Sequence, residues 1–200
     1  MLFLTDGALG QAMEPVELQF REPPRLPAGW ATSGAVDRPP RVLKSMHLEP
    51  EDLEVHNRHL QAKFAEISAH EVRWASESLD DAELVIVAYG TAARVARTAI
   101  ARARDDGLRA GLFRPITLWP FPSVELAAVA ARSRGILVVE LSAGQMVEDV
   151  RLAVEGRIPV IFEGRTGGMV PTPGEVVEAL RRLQAATAGD RAGSMLEVRP

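Results

Sequence analysis

Two hundred residues, 46% hydrophobic and 25% charged, suffice for one folded core of ordinary size with appendages, and the balance is that of a globular protein. A formal charge of -4 without any basic cluster gives no attraction for nucleic acid or an anionic membrane, and no apolar run approaches the roughly twenty residues of a membrane span. With no cysteine, disulfides, thiolate-bound zinc and iron-sulfur clusters held by this chain are excluded; together with a start that lacks a signal-peptide pattern, this leads us to expect a cytoplasmic protein.

Met1 to Leu4 reads as the end of an apolar strand, followed by Thr5 and the turn pair Asp6-Gly7. Such a strand either adds to a later sheet or belongs to a preceding domain. From Glu14 to Pro40 prolines recur without helical or alternating period, as in a linker that wraps a surface. Pro50 then opens a predicted amphipathic helix over Glu51–Glu77, with acids in its first turn and Leu53, Leu60, Phe64, Ile67 and Trp74 along one stripe. At about 1.5 Å per residue it is roughly 40 Å long and outreaches a small sheet, towards another subunit or domain.

From Ala82 strands and helices alternate. The runs Leu84–Tyr89, Leu108–Phe113, Ile136–Leu141 and Pro159–Phe162 read as strands, rich in β-branched residues and without polar alternation. Between and after them fall predicted helices over Ala92–Arg104, Ser123–Arg132, Gln145–Val154 and Glu175–Ala186. Ser123 is expected to cap the second of these, and Asp106-Gly107 and Gly156 to stop the first and third. Pro115, Pro120 and Pro122 should end the second strand near Phe113 and make a rigid, non-helical connection whose Trp119 and Phe121 need a packing partner. Strands buried on both faces require helices on both faces, which predicts a three-layer α/β domain with a mainly parallel sheet and right-handed crossovers. The tail from Thr187 loses its pattern and is expected to be mobile.

In such a sheet ligands gather at the carboxyl ends of the strands. Gly90 and Thr91 place a glycine and a hydroxyl at a helix start, where backbone amides can hold an anion; a turn and a helix cap are the commoner use of these residues. Gly144 and Gln145 repeat the pattern after a strand that carries Glu140 near its end, and the same alternative applies. Arg165, in the loop from Glu163 to Gly168, suits a phosphate or a docking contact with another subunit. His56 and His59 share a helix face, but no further metal ligands stand out near them. No serine has a base at recognisable spacing and no carboxylate pair is placed for acid-base work, so the residues alone identify no active site.

The strings Ile86-Val87-Ala88-Tyr89-Gly90-Thr91-Ala92-Ala93-Arg94, Arg114 to Pro122, and Gly144-Gln145-Met146-Val147-Glu148-Asp149-Val150-Arg151 resemble the alpha subunit of the 2-oxoacid:ferredoxin oxidoreductases, in the branch acting on branched-chain 2-oxoacids or 2-oxoglutarate. The resemblance extends to Asp6 through Val16, Glu51 through Asn57, and Gly164 through Pro173. It implies a remnant of a thiamine-type pyrimidine-binding domain over 1–14, a Pro-rich linker over 15–49, a long helix over 50–80, a transketolase C-terminal-like domain over 81–187 and a flexible tail over 188–200. It also implies thiamine diphosphate with Mg, and iron-sulfur clusters, in a complete complex that turns a 2-oxoacid and coenzyme A into acyl-coenzyme A and carbon dioxide, with ferredoxin accepting electrons. The partners so implied are a beta subunit, gamma and delta subunits, and an upstream alpha half. Because the glutamate expected to activate the aminopyrimidine falls outside this sequence, the resemblance transfers no catalytic residue. The chain is expected to bind none of these cofactors alone and to serve assembly, with a stand-alone interaction module of the same fold as the alternative.

Overall fold

The computed structural model describes residues 2, 4, 7–13, 15–23, 34 and 36–194. Of the apolar Met1–Leu4 run, Met1 and Phe3 lie outside the described residues, and Leu2 and Leu4 are exposed and in no strand. A short helix, α1, follows over Gly7–Gln11, and the described residues from 15 to 48 form no helix or strand.

Helix α2 spans Pro50–His70 and buries none of its residues. The predicted helix continues to Glu77, but the chain instead turns at Glu71 and forms β1, Trp74–Glu77, antiparallel to the edge of β3, Ala110–Pro115. The reason is an unpaired strand edge: the outer backbone groups of β3 need partners, and Trp74 stacks on Phe113 with ring centroids 4.9 Å apart. This pairing also corrects the predicted end of β3. Pairing with its parallel neighbour β2, Leu84–Ala88, ends at Phe113, opposite Val87, while pairing with β1 continues to Pro115.

The sheet is completed by β4, Gly135–Glu140, and β5, Val160–Gly164, in the order β1-β3-β2-β4-β5, with every pair except β1-β3 parallel. Helices α3, Gly90–Asp105, and α6, Pro173–Ser194, pack on one face, and α4, Ser123–Ala130, and α5, Met146–Val154, on the other. The α/β three-layer arrangement with a mainly parallel sheet is therefore as expected. Two apolar clusters reflect it: Leu84, Ile86, Leu112, Leu137 and Val139 face α3 and α6, whereas Val85, Val87, Phe113, Ile136 and Val138 face α4 and α5. Alternate residues of the same strands feed opposite layers, which is why no polar alternation appears in the sequence.

Several helix ends differ from the sequence expectation. Ser123 is the first residue of α4 rather than its cap, the N-cap position being Pro122. Helix α6 starts earlier because Thr172 and Glu175 form a reciprocal capping box: the Glu175 amide donates to Thr172 Oγ1 at 3.3 Å and the Thr172 amide to Glu175 Oε2 at 2.7 Å. Pro173 fills its first position. It also runs on to Ser194 instead of fading at Thr187, because Thr187 is itself buried and its carbonyl accepts from Arg134 at 3.4 Å.

Candidate functional site at the carboxyl edge of the sheet

The chain steps from β2 outwards to β3 and then back across to β4, so strand order reverses between β2 and β4. A crevice at such a reversal is the natural ligand position in an open parallel sheet. Here a cavity of about 440 Å³ is lined by Tyr89, Gly90, Thr91, Ala92 and Leu141, with Leu4 and Leu9 across from them. A second, of about 410 Å³, shares Leu141 and includes Arg165, Gly168 and Met169 beside Gly7, Ala8 and Gln11 of α1. Leu4 and the α1 residues Gly7, Ala8, Leu9 and Gln11 thus lie over the carboxyl edge. Of the expected site residues, Gly90, Thr91 and Arg165 are brought to neighbouring cavities, while Gly144 and Gln145 are turned to another task.

That task is fixed by Glu140, which is 0% exposed at the end of β4. Its carboxylate accepts from the amides of Gln145 at 3.3 Å, Met146 at 3.0 Å and Val147 at 2.9 Å, and from the Ser142 hydroxyl at 3.1 Å. Ser142 Oγ in turn accepts from the Gly144 amide at 3.1 Å, and the next amide, of Glu148, donates to the Gln145 carbonyl. The helix start that an external anion would use is filled by the chain's own carboxylate. Charge-assisted bonds and the positive end of the α5 dipole offset the cost of burying that charge. Gly144, at φ +108°, makes the turn that aims these amides inward. Neighbouring groups register the negative charge: burial first, then Glu140 and Glu148, hold the Asp149 carboxyl above its ordinary range, and burial with Glu140 does the same to the Tyr89 phenol.

Arg165 is also engaged, in an ion pair with Glu175. Hydrogen bonds from the Thr172 amide and hydroxyl, with the Arg165 charge added, hold the Glu175 carboxyl below its usual range. Gly90 has φ +55° and open space where a Cβ would stand, and Tyr89 ahead of it supplies no side-chain cap to α3. His56 stacks on His47 at 4.7 Å, and among the described residues no group of His, Asp or Glu is placed to hold a metal ion.

Sequence reading passes over Arg114 as a site. It sits near the carboxyl end of β3 beside a cavity of about 240 Å³ lined by Tyr89, Gly90, Pro115, Ile116 and Leu118. Its Nε is buried and has no hydrogen-bond partner, and among the described residues no carboxylate pairs with the guanidinium. An unpaired buried N–H costs about 1–3 kcal/mol. The available signal was its place in the sequence: a cation at the end of an apolar strand, just before the proline-rich loop.

Residues 82–176 match the family of the pyruvate:ferredoxin oxidoreductase core domain II. Along 95% of its length the chain is 39% identical to the ketoisovalerate oxidoreductase subunit VorB of Methanothermobacter thermautotrophicus, covering 53% of that protein. A 2-oxoglutarate synthase subunit KorA of the same organism is 36% identical over 54% of this chain and 28% of its own length. A solved 2-oxoglutarate:ferredoxin oxidoreductase from Magnetococcus marinus, with 2-oxoglutarate, coenzyme A and succinyl-CoA bound, superposes on 68% of the chain and 24% of its own at a TM-score of 0.58 and 25% identity. By fold and by sequence the chain is similar to the core domain II of these enzymes. More particularly, the chain matches part of a 2-oxoacid:ferredoxin oxidoreductase subunit, spanning about half the length of the VorB relatives.

Proposed function

We propose that the chain is the assembly-forming part of the alpha subunit of a thiamine-diphosphate-dependent 2-oxoacid:ferredoxin oxidoreductase, a cytoplasmic hetero-oligomer. The single observation that carries this is the similarity along 95% of the chain to a ketoisovalerate oxidoreductase subunit. In this reading a beta subunit holds the diphosphate end of the cofactor and its Mg ion, clusters in beta or gamma and delta subunits serve ferredoxin, and this domain borders the site from outside. Similarity to the ketoisovalerate type runs over 95% and 92% of the chain, against 54% and 52% for the 2-oxoglutarate type, which favours a branched-chain 2-oxoacid as substrate.

Two of the anion-binding positions expected from the sequence are occupied by the chain's own side chains, which supports a reading in which the diphosphate of thiamine is held by the partner. The amide-lined start of α5 already holds the Glu140 carboxylate, and Arg165 already holds Glu175. The chain's task is then to present surfaces, with activity absent from the isolated domain. Helix α2, with Phe64 39% exposed and edge-on to the 60% exposed Trp119 at 5.5 Å, supports that role.

The test is purification of the tagged chain from its native cell, identification of the co-purifying subunits by mass, and a coenzyme A-dependent 2-oxoacid oxidation assay with a viologen acceptor. The expected result is a beta-type subunit with activity greater on 2-ketoisovalerate than on 2-oxoglutarate. A folded chain recovered alone and inactive would overturn the reading in favour of a separate interaction module.

A further inference from the structure

Arg114 is a cation taken partly out of water with nothing in the described chain to balance it. Its Nε is buried without a partner, and the remaining charges near the carboxyl edge are spoken for: Glu140 by the α5 amides and Glu175 by Arg165 and Thr172. Beside the guanidinium the small cavity is lined by Tyr89, Gly90, Pro115, Ile116 and Leu118. Ile116 is 52% and Leu118 43% exposed, and both line the small cavity with Arg114. Trp119 follows directly, leading to Phe64 of α2. The backbone beneath is held fast, since the Ile116 and Thr117 amides both donate to the Arg73 carbonyl, at 2.9 and 3.1 Å. An arginine beside a tyrosine ring and exposed aliphatic side chains on a fixed backbone has the composition of a protein-binding centre. A small free oxyanion would meet a single guanidinium with the Tyr89 phenol and Gly90 beside it and would leave Pro115, Ile116 and Leu118 uncovered, whereas a partner surface can cover both the charge and the aliphatic side chains.

We propose that the cleft of Arg114, Ile116 and Leu118 is the anchor of the contact with a partner subunit, which seats a carboxylate side chain on the Arg114 guanidinium and apolar groups over Ile116 and Leu118. The inference rests on the reading of the chain as a subunit, and charge complementarity selects the partner's chemistry. Bound this way, Arg114 gains the bidentate counter-charge that the free chain lacks.

The experiment compares wild type, Arg114→Met and Arg114→Lys as full chains, measuring thermal stability alone and affinity for the other oxidoreductase subunits encoded by the same genome. Met keeps the apolar stem and removes the unpaired N–H. Arg114→Met is therefore expected to melt at or above the wild-type temperature while binding the partner roughly 100-fold more weakly, with Lys between the two. A purely structural arginine gives the reverse, a lower melting temperature with unchanged affinity, and that result overturns the proposal. So does an Arg114-dependent rise in melting temperature with inorganic phosphate or acetate when subunit affinity is the same in all three chains, since the cleft is then a small-anion site. If Arg114→Met binds the subunits as wild type does, the anchor is wrong and subunit membership stands. If the folded wild-type chain binds none of them, both fail.

Discussion

The ends of β4 and β3 face the same edge of the sheet and treat charge in opposite ways. At β4 the chain buries an acid and surrounds it with its own amides, so that Glu140 is wholly enclosed and fully partnered. At β3 it buries part of a base and leaves it without a counter-charge in the described chain. The first arrangement spends the helix start on folding, because three amides converging on one carboxylate leave little for a ligand. The second leaves an interaction unmade, and unmade interactions at a surface are where partners gain affinity.

The comparison breaks most directly at Glu140. Glu140→Ala removes the carboxylate and strands the amides of Gln145, Met146 and Val147, at a cost of about 4 kcal/mol. At roughly 2–4 °C per kcal/mol, the melting temperature should fall by about 8–16 °C. A loss under about 2 °C would show that water serves those amides equally well. Next comes Gly144→Val. At φ +108° a branched side chain is strained, and its Cβ would stand 3.3 Å from Val147 Cγ1, so about 2–3 kcal/mol should be lost in denaturant unfolding. Gly90→Ala provides the milder counterpart: φ +55° is accessible to an L residue and nothing lies within 4 Å of the new Cβ. A loss of only about 1 kcal/mol is expected there, and a loss equal to that at Gly144 would mean the two turns are equally constrained.

The smallest effect tests the buried negative charge through pH. The folded protein holds Asp149 above its ordinary carboxyl range, so it binds a proton that the unfolded chain has already released. Stability from this group is present at low pH and falls as pH rises from the unfolded value of 3.8 through the raised folded one. Asp149→Asn should accordingly stabilise the chain slightly at neutral pH, with the advantage vanishing in melting curves below that range. Equal stability of the two chains at both pH values would show that burial and the Glu140 and Glu148 charges do not hold Asp149 up.

Much of the fold was legible in the chain. The strands β2 to β5 and helices α3 to α6 are marked by buried apolar runs, alanine-rich stripes and turn glycines, all of them local signals. What failed was long-range. Trp74 continues the apolar stripe of α2 in sequence, yet the open edge of β3 draws it into a strand against Phe113. Thr187 has no periodic signal but is held by Arg134. The capping box of Thr172 and Glu175, in contrast, has a local signature, a threonine three residues ahead of a glutamate before an apolar run.

For the site, the sequence by itself determined which loops meet at the carboxyl edge, because alternating strands and helices fix that edge once the sheet is parallel. It also determined that Gly90, Thr91, Gly144, Gln145 and Arg165 lie just beyond the strand ends on that edge. Only the tertiary structure decided which charges are satisfied. Whether Glu140 meets the amides of α5, Arg165 meets Glu175, or Arg114 meets nothing depends on distances of a few ångströms between side chains on different elements, and a carboxylate or guanidinium carries no mark in sequence of who will stand beside it.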